Sequence, residues 1–240
     1  VARLGYDGKG QARVRTRAEA VAAFEEFGGV PCVLEALLDL QEELSVVMAR
    51  GLDGQCKVFP VASNVHDHGI LAVSTVNIEP PASAQRATEA ALAIANGLQY
   101  QGVLCVEFFI LRDGQLLVNE IAPRPHNSGH YTMNACVTSQ FEQQARVMAR
   151  LPLGSTQLLA PVVMLNILGD AWYTDETDTQ TEPDWSGVLA VPGASLHLYG
   201  KREARRGRKM GHVNCVGNTL AEAIAAANRV VNVLRLPVAA

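Results

Sequence analysis

The sequence predicts an α+β fold built on a mostly antiparallel sheet. Three observations carry that expectation. Apolar runs of strand length outnumber the helical stretches. Asp-Gly pairs at 53–54 and 113–114 join successive runs at hairpin spacing. Two capping boxes, Thr16 with Glu19 and Thr219 with Glu222, open Ala-rich helices near the two ends. A hydrophobic fraction of 48% over 240 residues is enough for a real core, in one large domain or a medium domain plus a small one.

In chain order, residues 16–28 read as a helix ended by Gly28-Gly29, and residues 31–38 (PCVLEALL) as a buried strand. Strands follow at 43–49 and 55–61 around the Asp53-Gly54 turn, and again at 70–76. Residues 83–99 read as an amphipathic helix with Ala87, Ala91, Ile94 and Leu98 on one stripe. A hairpin around Asp113-Gly114 comes next, then a helix capped by Thr138 that buries Phe141, Ala145 and Met148. Pro152 and Gly154 end it. That punctuation, where the pattern changes, divides the chain into residues 1–152 and a small C-terminal α/β domain at 153–240. Beyond it lie strands at 160–168, 195–199 and 211–216, a polar loop at 170–185, and a last helix to about residue 236.

The hairpin carries the sharpest chemical signal. Counted outward from a two-residue Asp113-Gly114 loop, Arg112 faces Gln115, Ile110 faces Leu117, Phe108 faces Asn119 and Glu107 faces Glu120. Two like charges opposed on apolar strands repel, and burial worsens the repulsion, so a cation between them or a proton on one is expected. Two carboxylates with the Asn119 amide oxygen are hard ligands that suit magnesium. A salt-bridged pair on a wet face is the plainer alternative, and the apolar flanks argue against it. The strand bearing Glu120 leads into Ala122-Pro-Arg-Pro-His-Asn-Ser-Gly-His130, a loop dense in donors. Anion-binding donors beside a cation site are the layout of phosphoryl transfer.

Other features are weaker alone. GYDGKGQ (5–11) can form a backbone anion nest carrying Lys9, although it fits neither a P-loop nor a dinucleotide fingerprint. Glu35 and Glu43 could hold a ribose, or simply be strand-end acids. His66 could meet a phosphate or pair with His68 on a metal, or be a turn residue without a role. KREARRGRKMGH (201–212) is the densest basic run and fits a phosphate site, with a solvated loop or a nucleic-acid patch as alternatives. The balance of 24 acidic against 20 basic residues argues against nucleic acid as a partner. Cys32, Cys56, Cys105, Cys136 and Cys215 are odd in number and lack zinc spacing, and several lie inside apolar runs, which reads as buried reduced thiols. The absence of an 18-residue apolar run argues against a membrane partner, and the expected location is the cytoplasm. The chain opens on Val1 and reads as the middle of a protein whose N-terminal portion is missing here.

Together, GYDGKGQ (5–11), FPVASNVHDHGIL (59–71), LLVNEIAPRPHNSGHYT (116–132) and LHLYGKREARRGRKMGHVN (196–214) resemble the ATP-grasp superfamily, and within it the 5-(carboxyamino)imidazole ribonucleotide synthases of purine biosynthesis. The resemblance implies part of an ATP-grasp domain followed by a small C-terminal domain. It implies ATP and Mg2+ as cofactors, with Mn2+ as a substitute, and bicarbonate and aminoimidazole ribonucleotide as substrates. It also implies a homodimer. By the same resemblance, Gly5, Asp7, Gly8 and Gly10 meet ATP phosphates. Glu35, Leu37 and Leu38 meet adenine, Glu43 the ribose, and His66 the phosphates. Glu107 and Glu120 hold the metal, with Asn119 beside them. Tyr6, Asp7, Lys9, Arg124, Asn127 and Ser128 line the bicarbonate and imidazole site, and Lys201 and Arg208 grip the ribonucleotide phosphate. The alternatives are another ATP-grasp ligase or a non-catalytic nucleotide-binding fragment.

Overall fold

The computed structural model describes residues 10–173 and 179–237. Helix α1 (Arg17–Glu26) begins where its capping box predicts, with the Thr16 hydroxyl accepting from Glu19 N at 3.2 Å. The strands β1 (Leu40–Arg50), β2 (Cys56–Val58), β3 (Ala62–Asp67) and β4 (Ile70–Val76) follow, then α2 (Ala84–Gly97), β5 (Gly102–Leu111) and β6 (Leu116–Ala122). After a 3-10 turn (Asn127–Gly129) come α3 (Thr132–Ala135), α4 (Gln140–Met148) and β7 (Val162–Leu168). The remainder is a second 3-10 turn (Gly169–Trp172), α5 (Trp185–Leu189), β8 (Ala194–Leu198), β9 (Lys209–Val216) and α6 (Leu220–Leu234).

Among the described residues these strands form one nine-stranded sheet, ordered β6-β5-β1-β3-β4-β7-β9-β8 with β2 added to β1. All its ladders are antiparallel, as the hairpin signals imply. The β4–β7 ladder carries the sheet across residue 152 into the C-terminal part. Alternation along β5 sorts its side chains between two layers. Leu104, Val106 and Phe108 pack with Leu44, Val46 and Met48 under α2. Val103 and Cys105 face the other way, against Tyr131, Ala135 and Cys136. Helix α6, capped by Thr219, buries Ala223, Ala226, Ala227 and Val230 with Val163, Leu165 and Val213 of β7 and β9.

Four expectations need correction. Residues 31–38 form neither a strand nor a buried one: Val33, Leu34 and Leu37 are 65%, 80% and 77% exposed. The reason is geometric. The β1–β5 ladder starts at Leu40 opposite Leu111, and the chain after Leu111 turns back into β6. Residues before Asp39 therefore run past the last rung, with no described strand beside them. Cys32, on this segment, is exposed rather than buried.

The second correction concerns α2, whose buried stripe is Ala84, Ala87, Ala91 and Ala95; Leu98 lies past its end and is 61% exposed. The third concerns α4, which is capped by Ser139 and buries Gln140, Gln143 and Val147, while Phe141, Ala145 and Met148 are exposed. A polar face is buried there because its amides are hydrogen-bonded. Finally, His66 lies in strand β3 rather than in a turn. The turn comes after Asp67, at His68 and Gly69, both with positive φ, which suits a two-residue hairpin loop.

Candidate active site

Glu107 on β5 and Glu120 on β6 are register partners. The expected pairing is right, but the path to it is not. Leu111 N donates to Gln115 O at 2.9 Å, so the loop is Arg112-Asp113-Gly114, one residue longer than expected, with Gly114 at φ +83°. Ile110, Phe109 and Phe108 then face Leu116, Leu117 and Val118, one residue off the predicted register. A β-bulge between Phe108 and Glu107 takes up Asn119 as the extra residue and restores the Glu107–Glu120 pair. The two departures cancel. Such a bulge sets two residues against one, so Asn119 and Glu120 stand together opposite Glu107.

The two carboxylates sit in different surroundings. Glu107 is 9% exposed, in the middle of a buried strand. Glu120 is exposed, because β6 is the last strand of the sheet, with Val118 and Ile121 also open at 49% and 40%. Burial, and then the charge of Glu120, push the Glu107 carboxyl up to about 7. A buried carboxyl held up beside a second acid's charge is what a divalent cation would relieve, and the donor set fits magnesium.

Glu43 on β1 and His66 on β3 complete one flank. His66 Nδ1 lies 2.8 Å from Glu43 Oε2, though off the line of a straight hydrogen bond. Burial pulls the His66 pKa down, but the Glu43 contact and the charge of Glu107 raise it overall. His126 lies on the other flank, with Nε2 3.7 Å from Glu107 Oε1 and Nδ1 2.9 Å from Ser128 Oγ. Burial and the nearby Arg124 and Lys209 charges push His126 down to about 3, so it meets Glu107 as a neutral ring.

Gln140 holds this loop in place. Its Oε1 accepts from His126 N at 2.9 Å, and its Nε2 donates to His126 O at 2.7 Å and approaches His130 Nδ1 at 3.0 Å. Gly129 lets it sit close, since a Cβ there would meet Gln140 Oε1 at 2.6 Å and the clamping amide would have to shift. The next residue after His126, Asn127, has both side-chain amide atoms buried without a partner among the described residues. Buried polar groups are nearly always satisfied, so Asn127 has the character of a ligand-binding group.

A histidine stack joins this loop to β8 and β9. His197 and His212 stack at 4.5 Å, and His130 lies 4.7 Å from His212. Burial holds His130 down to about 4 and His212 to about 3. Asn214 Nδ2 donates to His130 O at 3.0 Å, and Tyr199 Oη lies 3.0 Å from His212 Nδ1. The basic run starts from these strands. Lys201 Nζ donates to Lys209 O, and Arg208 Nη1 donates to Glu203 O. Lys201 and Arg202 also line a cavity of about 320 Å3 with Trp172, Ala204 and Met210; none of the paired acids reaches it.

The structure thus brings together Glu43, His66, Glu107, Asn119, Glu120, Asn127 and Ser128, with Arg124 exposed at the rim. Glu35 and Leu37 lie on the exposed irregular segment with Leu38, away from any described ladder. Gly5, Tyr6, Asp7, Gly8 and Lys9 lie outside the described residues, and Gly10 is the first within them, in a turn at φ +69°. Sequence reasoning missed Gln140 as the clamp on His126. It also missed Lys209, whose charge acts on His66, Glu107 and His126. The change from basic residues to the apolar alternation of β9 after Lys209 was the available signal.

Antiparallel strands presenting paired acids beside a donor-rich loop define a site suited to a cation and an anionic ligand held side by side. The chain belongs to the ATP-grasp family: the ATP-grasp domain matches residues 1–141, and the phosphoribosylaminoimidazole carboxylase C-terminal domain matches residues 162–226. It is similar in particular to the N5-carboxyaminoimidazole ribonucleotide synthase of Brucella melitensis, at 47% identity over 89% of this chain and 57% of that protein. Crystal structures of the corresponding enzymes agree. That from Thermus thermophilus has a TM-score of 0.84 at 37% identity, over 95% of this chain and 61% of the other. The Aspergillus clavatus enzyme, in complex with ADP and 5-aminoimidazole ribonucleotide, has a TM-score of 0.82 at 30% identity, over 93% of this chain and 59% of the other. The chain spans little more than half the length of the curated relatives it matches.

Proposed function

We propose that the complete protein is an ATP-dependent ligase that carboxylates 5-aminoimidazole ribonucleotide with bicarbonate. The products are the 5-carboxyamino ribonucleotide, ADP and phosphate. Bicarbonate attacks the γ-phosphate and yields carboxyphosphate; the exocyclic amine then takes the carboxyl group, directly or as released carbon dioxide. The observation that carries this reading is the pair Glu107 and Glu120, with bulged Asn119, together with the unsatisfied Asn127 amide on the loop that brings His126 to Glu107.

In this reading Glu107 and Glu120 hold magnesium, with Asn119 beside them and manganese as a substitute. When bound, the ion supplies charge neutralisation at the phosphates. The chain's own residues position and stabilise. Glu43, paired with His66, takes the ribose and His66 a phosphate. Glu35, Leu37 and Leu38 meet adenine. Gly5, Asp7, Gly8 and Gly10 follow the phosphates, and Tyr6, Asp7, Lys9, Arg124, Asn127 and Ser128 surround the reacting carboxyl group. Lys201 and Arg208 take the ribonucleotide phosphate. The break at residues 152/153 falls between the two family matches, which supports it as the junction of two units. A homodimer, a further N-terminal portion and a cytoplasmic setting belong to the same proposal. Among the described residues no helix is long and apolar enough to cross a membrane.

The test is substrate dependence in the complete protein. ADP should form only when bicarbonate and aminoimidazole ribonucleotide are both present. ADP formation that ignores bicarbonate, or that needs formate instead, would assign the site to another ATP-grasp ligase.

A further inference from the structure

One cluster at the site has a chemistry the ligase reading leaves unused. Cys105 and Glu107 lie two residues apart on β5 and so share a face, and His126 leans over that face from its loop. One ligand atom from each of the three lies within 4.8 Å of the others. Magnesium takes oxygen ligands and has no use for a thiol or an imidazole, whereas zinc and cobalt favour both.

We propose that Cys105, Glu107 and His126 form a three-ligand site for a thiophilic divalent cation such as Zn2+, with a fourth position left open. This does not rest on the ligase reading, since it needs only these three side chains and no nucleotide. Tetrahedral zinc with the usual bond lengths sets a nitrogen and an oxygen ligand about 3.3–3.5 Å apart, and a sulfur about 3.5–3.6 Å from either. The 3.7 Å between His126 Nε2 and Glu107 Oε1 is about 0.2–0.4 Å longer than that, and no pair has to close by more than about 1.3 Å. His126 can present its Nε2 lone pair by carrying its proton on Nδ1 and donating it to Ser128 Oγ, 2.9 Å away. The weaker 3.3 Å contact from Ser128 N is then given up. A partner on the far ring nitrogen is the arrangement that orients metal-bound imidazoles.

Binding is a proton exchange. The Cys105 S–H bond breaks, the sulfur lone pair goes to the metal, and the proton leaves to solvent. Glu107 binds as its carboxylate and releases any proton it carries. No oxidation is involved. Cys105 is fully buried, so the ion enters past Glu107 and His126, which are 9% and 8% exposed. Because Glu107 is shared, such an ion and magnesium exclude one another.

Cobalt(II) is the probe, titrated into the chain and followed by its thiolate-to-cobalt charge-transfer absorbance. Cys32 and Cys56, the two cysteines that are not buried, are first replaced by serine to remove adventitious binding. The expected result is one equivalent bound with that absorbance. Cys105→Ala should abolish the band and weaken cobalt binding by more than the roughly 10–100-fold that loss of an outer-shell partner produces. Should Cys105→Ala fail to fold, Glu107→Gln keeps the thiol and should weaken binding by at least about 10-fold while the band remains at saturation. No band in the parent, a band that persists in Cys105→Ala, or unchanged affinity in Glu107→Gln overturns the site.

Discussion

Residues 31–38 and strand β5 look alike on paper. Each is an apolar run with one glutamate inside it, PCVLEALL with Glu35 and GVLCVEFFIL with Glu107. In the folded chain they are opposites. β5 lies between β1 and β6, has α2 on one face and the His126 loop on the other, and buries Glu107. Residues 31–38 run beyond the ladder and expose Leu34 at 80%. Strand propensity is mostly a statement about neighbours, and so is the chemistry of an acid. Glu107 is pushed up to about 7 because of what surrounds it, above all its burial and the Glu120 charge.

Gln140→Leu removes the amide that satisfies His126 N, His126 O and His130 Nδ1. Leaving two or three buried groups unpaired should cost about 2–5 kcal/mol in urea unfolding. Full stability in this variant would mean the loop holds itself. The next effect is a slope. Burial keeps His126, His130 and His212 neutral in the fold, so unfolding takes up protons as pH falls below about 6.5, and their share of stability is lost in acid. Glu107 acts in the opposite sense: its contribution is complete below about 4.5 and is lost as pH rises to about 7. In metal-free buffer at about pH 5–6, Glu107→Gln should therefore lose stability on acidification more steeply than the parent, by one proton, or about 1.4 kcal/mol per pH unit. Equal slopes would contradict a raised Glu107. The smallest effect belongs to the exposed segment, where Leu34→Ser should change the stability of this chain by no more than about 0.5 kcal/mol. A larger loss would mean that the segment is packed.

Much of the sheet could be read from alternation and turn residues: β4 falls on the predicted residues, and α1 and α6 start at their capping boxes. The acid pair was legible too, but through a count whose two departures cancel at Glu120. No residue type announces a bulge at Asn119. The buried face of α4 was hidden because Gln140 and Gln143 look solvent-facing until their partners, 14 and 11 residues away in the chain, are known. The His130–His197–His212 stack joins a loop to two strands far along the chain, and no local pattern encodes it. Lys209 was masked by the basic residues before it, although only Lys209 begins a strand.

In the proposed function Glu107 and Glu120 act together on one cation at an ATP site. This is tested most directly by ATP turnover in the complete protein carrying Glu120→Ala, with bicarbonate and aminoimidazole ribonucleotide saturating. Because Glu120 is exposed on an edge strand, the variant should fold normally. Turnover should fall by at least the roughly 10²–10³-fold that removal of one electrostatic stabiliser produces. Turnover within a few-fold of the parent would contradict it.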